Sequence, residues 1–172
     1  QAEFAEDRFA PPVLTEAQAA AFSSRDLKDA PLHVQGDIPE WVQPSFQNCF
    51  GEEWLREAQA LAGRPTLDLR ANTLKANRDK VVKALERSGA TASPIAPNGV
   101  RIPAGEAASR LPNVTAELSF QKGWFEVQDE GSQIVSELVR PGEHGQVLDY
   151  CAGGGGKTLA MSAAMHNKGQ VH

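Results

Sequence analysis

Apolar positions recur at helical spacing in the first third of the chain and shift to short alternating runs after it. Thr15 and Gln18 have the spacing of a capping box, which predicts a short helix after Thr15. Asp37-Ile38-Pro39 suits a helix start, with Pro39 in the first turn. Trp41, Val42, Phe46 and Phe50 then keep roughly helical spacing, interrupted by Pro44. From Glu52 to Ala62 the stripe is Trp54, Leu55, Ala58, Leu61 and Ala62, stopped by Gly63. Trp41 and Trp54 are expected in a core, as aromatics at such spacing usually are. Leu67 and Leu69 alternate in a strand over 66–70. Asn77 should cap a helix running to about Ser88 and ended by Gly89, with Val81, Val82 and Leu85 facing a core and Lys80, Lys83 and Arg87 on another stripe. Prolines and Gly99 break 91–122 into short strands and loops. A strand at 125–127, a helix over 128–139 with Ile134, Val135 and Leu138 apolar, and a strand at 146–149 follow. A glycine run, a helix through Met165 and the opening of a second strand at 170–172 complete the pattern.

The pattern implies an α/β chain with three parts. Residues 1–36, broken by Pro11, Pro12, Pro31 and Gly36, read as a linker or the tail of an absent upstream region. Residues 37–122 read as a small α+β domain. Residues 123–172 read as the incomplete start of a Rossmann-like domain, because one strand, two helices and a strand stub cannot bury a doubly wound sheet on both faces. The 41% hydrophobic share suits a globular protein. No apolar run approaches the roughly 20 residues of a membrane helix. The first residues lack the basic-then-apolar order of a signal peptide, and the absence of an initial methionine suggests a piece of something longer. Two cysteines, Cys49 and Cys151, make no disulfide framework, so a reducing cytoplasm is expected. No His/Cys spacing suggests a metal site.

The densest chemistry lies at Asp149-Tyr150-Cys151-Ala152-Gly153-Gly154-Gly155-Gly156-Lys157-Thr158. The order is strand, glycine-rich turn, helix. Such a turn brings backbone donors and the positive end of a helix close to an anionic or polar small molecule. Three ligands compete for it. A P-loop would end in Gly156-Lys157-Thr158, but its first glycine would fall on Cys151. A dinucleotide fingerprint from Gly153 would need glycine where Thr158 stands. An S-adenosylmethionine loop has an acid closing the strand and alternating glycines, which Asp149, Gly153 and Gly155 fit. A plain flexible connector is the bland alternative, and it gives no reason for the strand and helix that frame the run.

The run resembles the D-x-C-A-A-P-G-G-K-T signature of Nop/Sun-type RNA cytosine-5 methyltransferases, the family of bacterial ribosomal RNA small-subunit methyltransferase B. Asp149, Cys151, Ala152, Gly155, Gly156, Lys157 and Thr158 match it, while Gly153 and Gly154 replace alanine and proline. Val127-Gln128-Asp129-Glu130-Gly131-Ser132 resembles the family's V-Q-D-E-A-S segment, and Leu69-Arg70-Ala71-Asn72-Thr73-Leu74-Lys75 its L-R-V-N-T-L-K segment. The resemblance implies that S-adenosylmethionine is held by the backbone of Cys151, Ala152, Gly153, Gly154, Gly155, Gly156 and Lys157. It implies methylation of cytosine C5 in RNA, with ribosomal RNA the expected substrate. It also implies a nucleophilic cysteine and a second, product-releasing one in motifs that follow the glycine loop. Cys151 matches the cofactor loop and not those motifs, so no catalytic residue is assigned and the 172-residue chain itself is expected to be inactive. The enzyme alternative is a P-loop nucleotide-binding protein. The alternative from another class is a non-catalytic RNA-binding module.

Charge adds a candidate surface. The chain carries a net −5, with 4 basic and 11 acidic side chains in residues 1–63, yet residues 64–87 hold 7 basic and 3 acidic ones. A locally positive segment in an acidic chain can face a polyanion. The strand–helix–strand module there resembles a small RNA-recognition-type domain, which the family carries at this place. Arg70, Lys75, Lys80 and Lys83 are the expected phosphate contacts. A solvated helix face accounts for the same lysines.

Overall fold

A computed structural model describes residues 12–105 and 111–172. The linker reading of residues 1–11 and the loop reading of residues 106–110 lie outside them. The chain divides between Gly63 and Arg64 into two units.

In the first unit the capping box forms as spaced. The Gln18 N–H donates to Thr15 Oγ1 at 3.3 Å and the Thr15 N–H to Gln18 Oε1 at 3.0 Å, starting α1 (Glu16–Ser23). A single turn, α2 (Leu32–Gln35), follows. At Glu40–Val42 the chain makes a 3-10 turn, and α3 (Gln43–Phe50) begins only after it. Pro44 sits in the first turn of α3, where its missing N–H has no helical partner to lose, so it starts this helix instead of interrupting one. The 3-10 turn advances 120° per residue and not 100°, which takes Trp41 off the helical stripe. Trp41 is 81% exposed and is not a core residue. α4 (Trp54–Ala62) buries Trp54 and Ala58, but Leu61 in its last turn stands exposed, so the expected stripe is covered over only part of its length.

The second unit is built on an antiparallel sheet of order β2-β3-β1-β4. Its strands are β1 (Leu67–Ala71), β2 (Thr91–Ala92), β3 (Gly99–Ile102) and β4 (Phe125–Val127). Leu69 lies opposite Val100 on one side and Val127 on the other. Between β1 and β2 runs α5 (Arg78–Ala84), capped by Asn77, whose Oδ1 accepts from the Lys80 N–H at 3.0 Å. Val81 and Leu85 join Leu69, Val100, Ile102 and Phe125 in the core, and Val82 packs at its margin. A short helix, α6 (Leu118–Gln121), replaces the loop expected before β4. Because β4 pairs with β1, the sheet extends past the expected boundary after residue 122.

Three further elements carry the glycine run. α7 (Glu130–Val139) is capped by Asp129, whose Oδ1 accepts from the Ser132 N–H at 3.2 Å. It packs on β1 and on α8 (Gly156–Ala164). Its buried positions are polar, Gln133 and Ser136, while Val135 and Leu138 of the expected apolar side are mostly exposed. β5 (Gln146–Val147) and β6 (Gln170–Val171) pair in parallel across α8. Hydrogen bonding continues beyond β5, with the Asp149 N–H donating to the His172 carbonyl at 2.8 Å.

One ion cluster ties α7 to the sheet. Arg101 Nε and Nη2 reach Asp68 at 2.8 and 3.1 Å, and Nη2 also reaches Glu130 Oε2 at 2.8 Å. The Glu130 N–H donates to Asp68 Oδ2, and the Ser93 hydroxyl to Glu130. The Arg101 hydrogen bond holds the Asp68 carboxyl below the usual carboxylate range, against a smaller opposing effect of burial. A depressed folded-state value stabilises the native state above the unfolded pKa, and that stability is lost as pH falls through the folded value. Asp68→Asn is therefore expected to lower unfolding free energy by about 2 kcal/mol at neutral pH, the order of a charge-assisted hydrogen bond. The gap between variant and wild type should shrink as pH drops below about 4. Urea unfolding at pH 7 and pH 3 checks both, and an equal gap at the two values would remove Asp68 as its source.

Candidate cofactor loop and nucleic-acid interface

The glycine run forms a tight connection from β5 into α8. Thr158 Oγ1 donates to Asp149 Oδ2 at 2.6 Å, so the end of the strand and the first turn of the helix are joined across the loop. Gly153 (φ 55°) and Gly155 (φ 80°) both lie in the left-handed region, which costs a residue with a Cβ about 1–2 kcal/mol. Gly155 stands at the N-cap of α8 and no side chain caps it. The Gly155 N–H is used in a turn to the Ala152 carbonyl at 2.9 Å. The N–H groups of the first helical turn behind it are left for a ligand or water. An ideal Cβ at Gly153, Gly154 or Gly155 would meet no atom within 4 Å, so this face of the loop is open. Cys151, Ala152, Gly153, Gly154 and Lys157 are exposed, while Gly155 and Gly156 are half-buried. Open backbone donors, a positive helix end and a nearby ammonium fit a small ligand bearing a carboxylate. Cys49 and Cys151 are both free thiols on exposed residues.

Gln128 is the residue that reading the sequence missed. Its Oε1 accepts from Arg70 Nε at 2.6 Å, and its Nε2 lies 3.5 Å from where a Cβ on Gly156 would stand. The segments around Arg70, Gln128 and Gly156 are far apart in sequence and meet at this one amide. The signal was a polar residue directly before a helix cap, inside a motif. Gln133 lies alongside, donating through Nε2 to the carbonyls of Leu69 and Gln128 at 3.2 and 2.8 Å. Its buried Oε1 has no partner among the described residues.

This junction changes the reading of Arg70. Expected on a phosphate-facing surface, it is only 5% exposed and borders a cavity of about 150 Å³ with Gln133, Ser136 and Ala163. Burial lowers its guanidinium pKa, opposed by the charges of Glu126 and Glu137. β1 turns this side chain inward toward Gln128, so it is a structural link and not a surface contact. Lys75, Lys80 and Lys83 are exposed, Lys80 and Lys83 on α5 and Lys75 just before it. Among the described residues, no three His, Cys, Asp or Glu side chains gather as a metal site, and no helix is long and apolar enough to cross a membrane.

Residues 38–107 match a family model described as the Methyltr_RsmF/B-like, ferredoxin-like domain. Over 147 residues the chain is 37% identical to a ribosomal RNA small subunit methyltransferase B of Cronobacter sakazakii, covering 84% of this chain and 31% of that one. The chain belongs to the Nop/Sun-type, small-subunit methyltransferase B-like family. A second member, a probable ribosomal RNA small subunit methyltransferase B of Synechocystis, is 30% identical over 153 residues, which are 86% of this chain and 32% of its own. The chain thus spans about a third of the length of the curated family relatives it matches. Among solved structures, a methyltransferase homolog of Pyrococcus horikoshii superposes with a TM-score of 0.66 at 25% identity, covering 81% of this chain and 45% of that one. The family's α/β fold is therefore shared by this chain.

Proposed function

We propose that this chain supplies the RNA-facing domain and the cofactor loop of an S-adenosylmethionine-dependent enzyme that methylates cytosine C5 in RNA, with ribosomal RNA as the substrate. The observation that carries the reading is the open, uncapped start of α8 behind Gly153 and Gly155, in a chain whose family relatives are named ribosomal RNA methyltransferases. S-adenosylmethionine would supply the methyl group. The backbone from Cys151 to Lys157 would hold its methionine end, with the N–H groups at the start of α8 meeting the carboxylate and Lys157 adding charge. Asp149 keeps the loop closed through Thr158. That bond also counts against the P-loop alternative, in which the hydroxyl after the lysine serves magnesium.

RNA would approach the side carrying Lys75, Lys80 and Lys83. Neutralised phosphates release counterions, so affinity should fall steeply with salt. Changing the three lysines together to glutamate is expected to weaken RNA binding about tenfold or more without unfolding the chain, since all three are exposed. Filter binding across a salt series, with circular dichroism as the folding control, tests this. Unchanged affinity in the triple variant would return α5 to the role of a solvated face.

A further inference from the structure

Three lysines flank Gly123 and Trp124 at the start of β4. Lys80 Nζ lies 3.9 Å from the centroid of the Trp124 ring, and Lys122 Nζ lies 5.5 Å from it. Lys75 Nζ stands 3.3 Å from where a Cβ on the adjacent Gly123 would be. The three lysines come from the turn after β1, from α5 and from the residue after α6, and all are exposed. Among the described residues, none of them forms an ion pair with a carboxylate. A cation over an aromatic face is attracted by the ring electrons, which helps to hold Lys80 beside the indole. An anion bound beside these lysines would be attracted to all three.

The backbone that carries the ring is held in place. The Trp124 backbone N–H donates to the Ser119 carbonyl at 3.0 Å, and the Trp124 carbonyl accepts from the Asn72 N–H at 2.8 Å. Asn72 Nδ2 also donates to the Gly123 carbonyl at 3.0 Å. Part of the indole packs on the core, and Lys80 lies over its ring. A fixed aromatic face ringed by positive charge has the composition that single-stranded nucleic acid recognises: the phosphodiester meets the cations and a base stacks on the ring. Duplex RNA keeps its base faces stacked and cannot use the indole.

We propose that Trp124 with Lys75, Lys80 and Lys122 forms a clamp for one nucleotide of single-stranded RNA. The phosphate lies among the three ammoniums, and the base stacks on the indole as Lys80 moves from the ring to the phosphate. The clamp rests on the RNA reading above. It adds a place, a preference for unpaired strands, and two contact residues, Lys122 and Trp124, that lie outside the basic segment 64–87.

The test is fluorescence anisotropy of the 172-residue chain with a labelled single-stranded oligoribonucleotide, the same sequence as a duplex, and an abasic version. Lys122→Glu and Trp124→Leu are each expected to weaken single-strand binding about tenfold, the first by removing a phosphate contact and the second by removing the stacking face, with Trp124→Phe retaining most of it because a phenyl ring still stacks. The abasic strand should bind more weakly and equally to wild type and Trp124→Leu. Lys168→Glu, a remote control paired with Glu143, should bind like wild type. Lys122→Glu changes only an exposed charge, so the test stands even where Trp124→Leu unfolds. RNA binding that ignores both Lys122→Glu and Trp124→Leu would overturn the clamp and leave the RNA reading intact. Equal binding of single strand, duplex and abasic strand would overturn the stacking and so the clamp. Equal affinity for polyglutamate would make the cluster a general polyanion site and also overturn it. No binding of any RNA by the wild-type chain would sink the clamp and the RNA reading together.

Discussion

A Gly155→Val variant is expected to lose methyl-donor binding by about 100-fold or more. The cause lies in the backbone before it lies in any contact. Gly155 has φ 80°, and a Cβ there meets the following carbonyl at a cost of about 1–2 kcal/mol, more when it is branched. The loop can escape only by abandoning the turn in which the Gly155 N–H donates to Ala152, and that turn aims the first N–H groups of α8. If the turn holds, two methyl groups stand in front of those donors. Strain and occlusion together come to about 3 kcal/mol, which is roughly two decades in affinity. Gly154→Ala is the control, since Gly154 lies outside the left-handed region and its Cβ would meet nothing within 4 Å. It should lose far less. Calorimetry with S-adenosylmethionine, and separately with ATP and magnesium, is best made in a chain of the relatives' full length, because β5 and β6 alone give the loop a two-stranded support. Wild-type-like binding by Gly155→Val would mean that the ligand does not approach this turn. Tight magnesium-dependent ATP binding would overturn the methyl-donor reading in favour of the P-loop.

Much of this arrangement was legible in the residues because its signals are local. Thr15 with Gln18 and Asn77 before α5 each act within three residues, and each cap forms with the bond its spacing implies. Val81 and Leu85 face the core because one face of α5 is all they need. What was not legible depended on packing between distant segments. Arg70 looks like a surface cation in a basic stretch, and only its pairing with Gln128, 58 residues away, draws it inside. The same amide sits against the start of α8, so a residue that links the sheet to the glycine run was hidden in a motif read only as a family resemblance. On α7 the apolar pattern pointed to Val135 and Leu138, yet Gln133 and Ser136 are buried because Gln133 satisfies two carbonyls of the sheet side. Trp41 misled for another reason. Helical periodicity assumes 100° per residue, and a single 3-10 turn breaks that phase.

Phe125→Ala is expected to destabilise the second unit by about 3–5 kcal/mol, the usual cost of truncating a buried aromatic. Phe125 is fully buried, and its ring lies 5.6 Å from that of Phe120. It belongs to β4, a three-residue edge strand that pairs only with β1, opposite Ala71 at this position. Such a strand has few backbone bonds of its own, so the ring anchors it. Against the roughly 5–15 kcal/mol of a typical domain, the loss is about a fifth of the stability or more. The functional consequence follows from the neighbouring residue. Trp124 takes its position from the same strand start and from the Asn72 and Ser119 backbone bonds, so loosening β4 should weaken single-stranded RNA binding even where the domain remains folded. Trp41→Ala provides the contrast, because an aromatic that is 81% exposed should change stability by no more than about 0.5 kcal/mol. Urea unfolding of the two variants beside wild type measures the difference. A cost below about 1 kcal/mol for Phe125→Ala would show that β4 is not anchored through this ring, and a larger cost for Trp41→Ala than for Phe125→Ala would reverse the assignment of which aromatic belongs to a core.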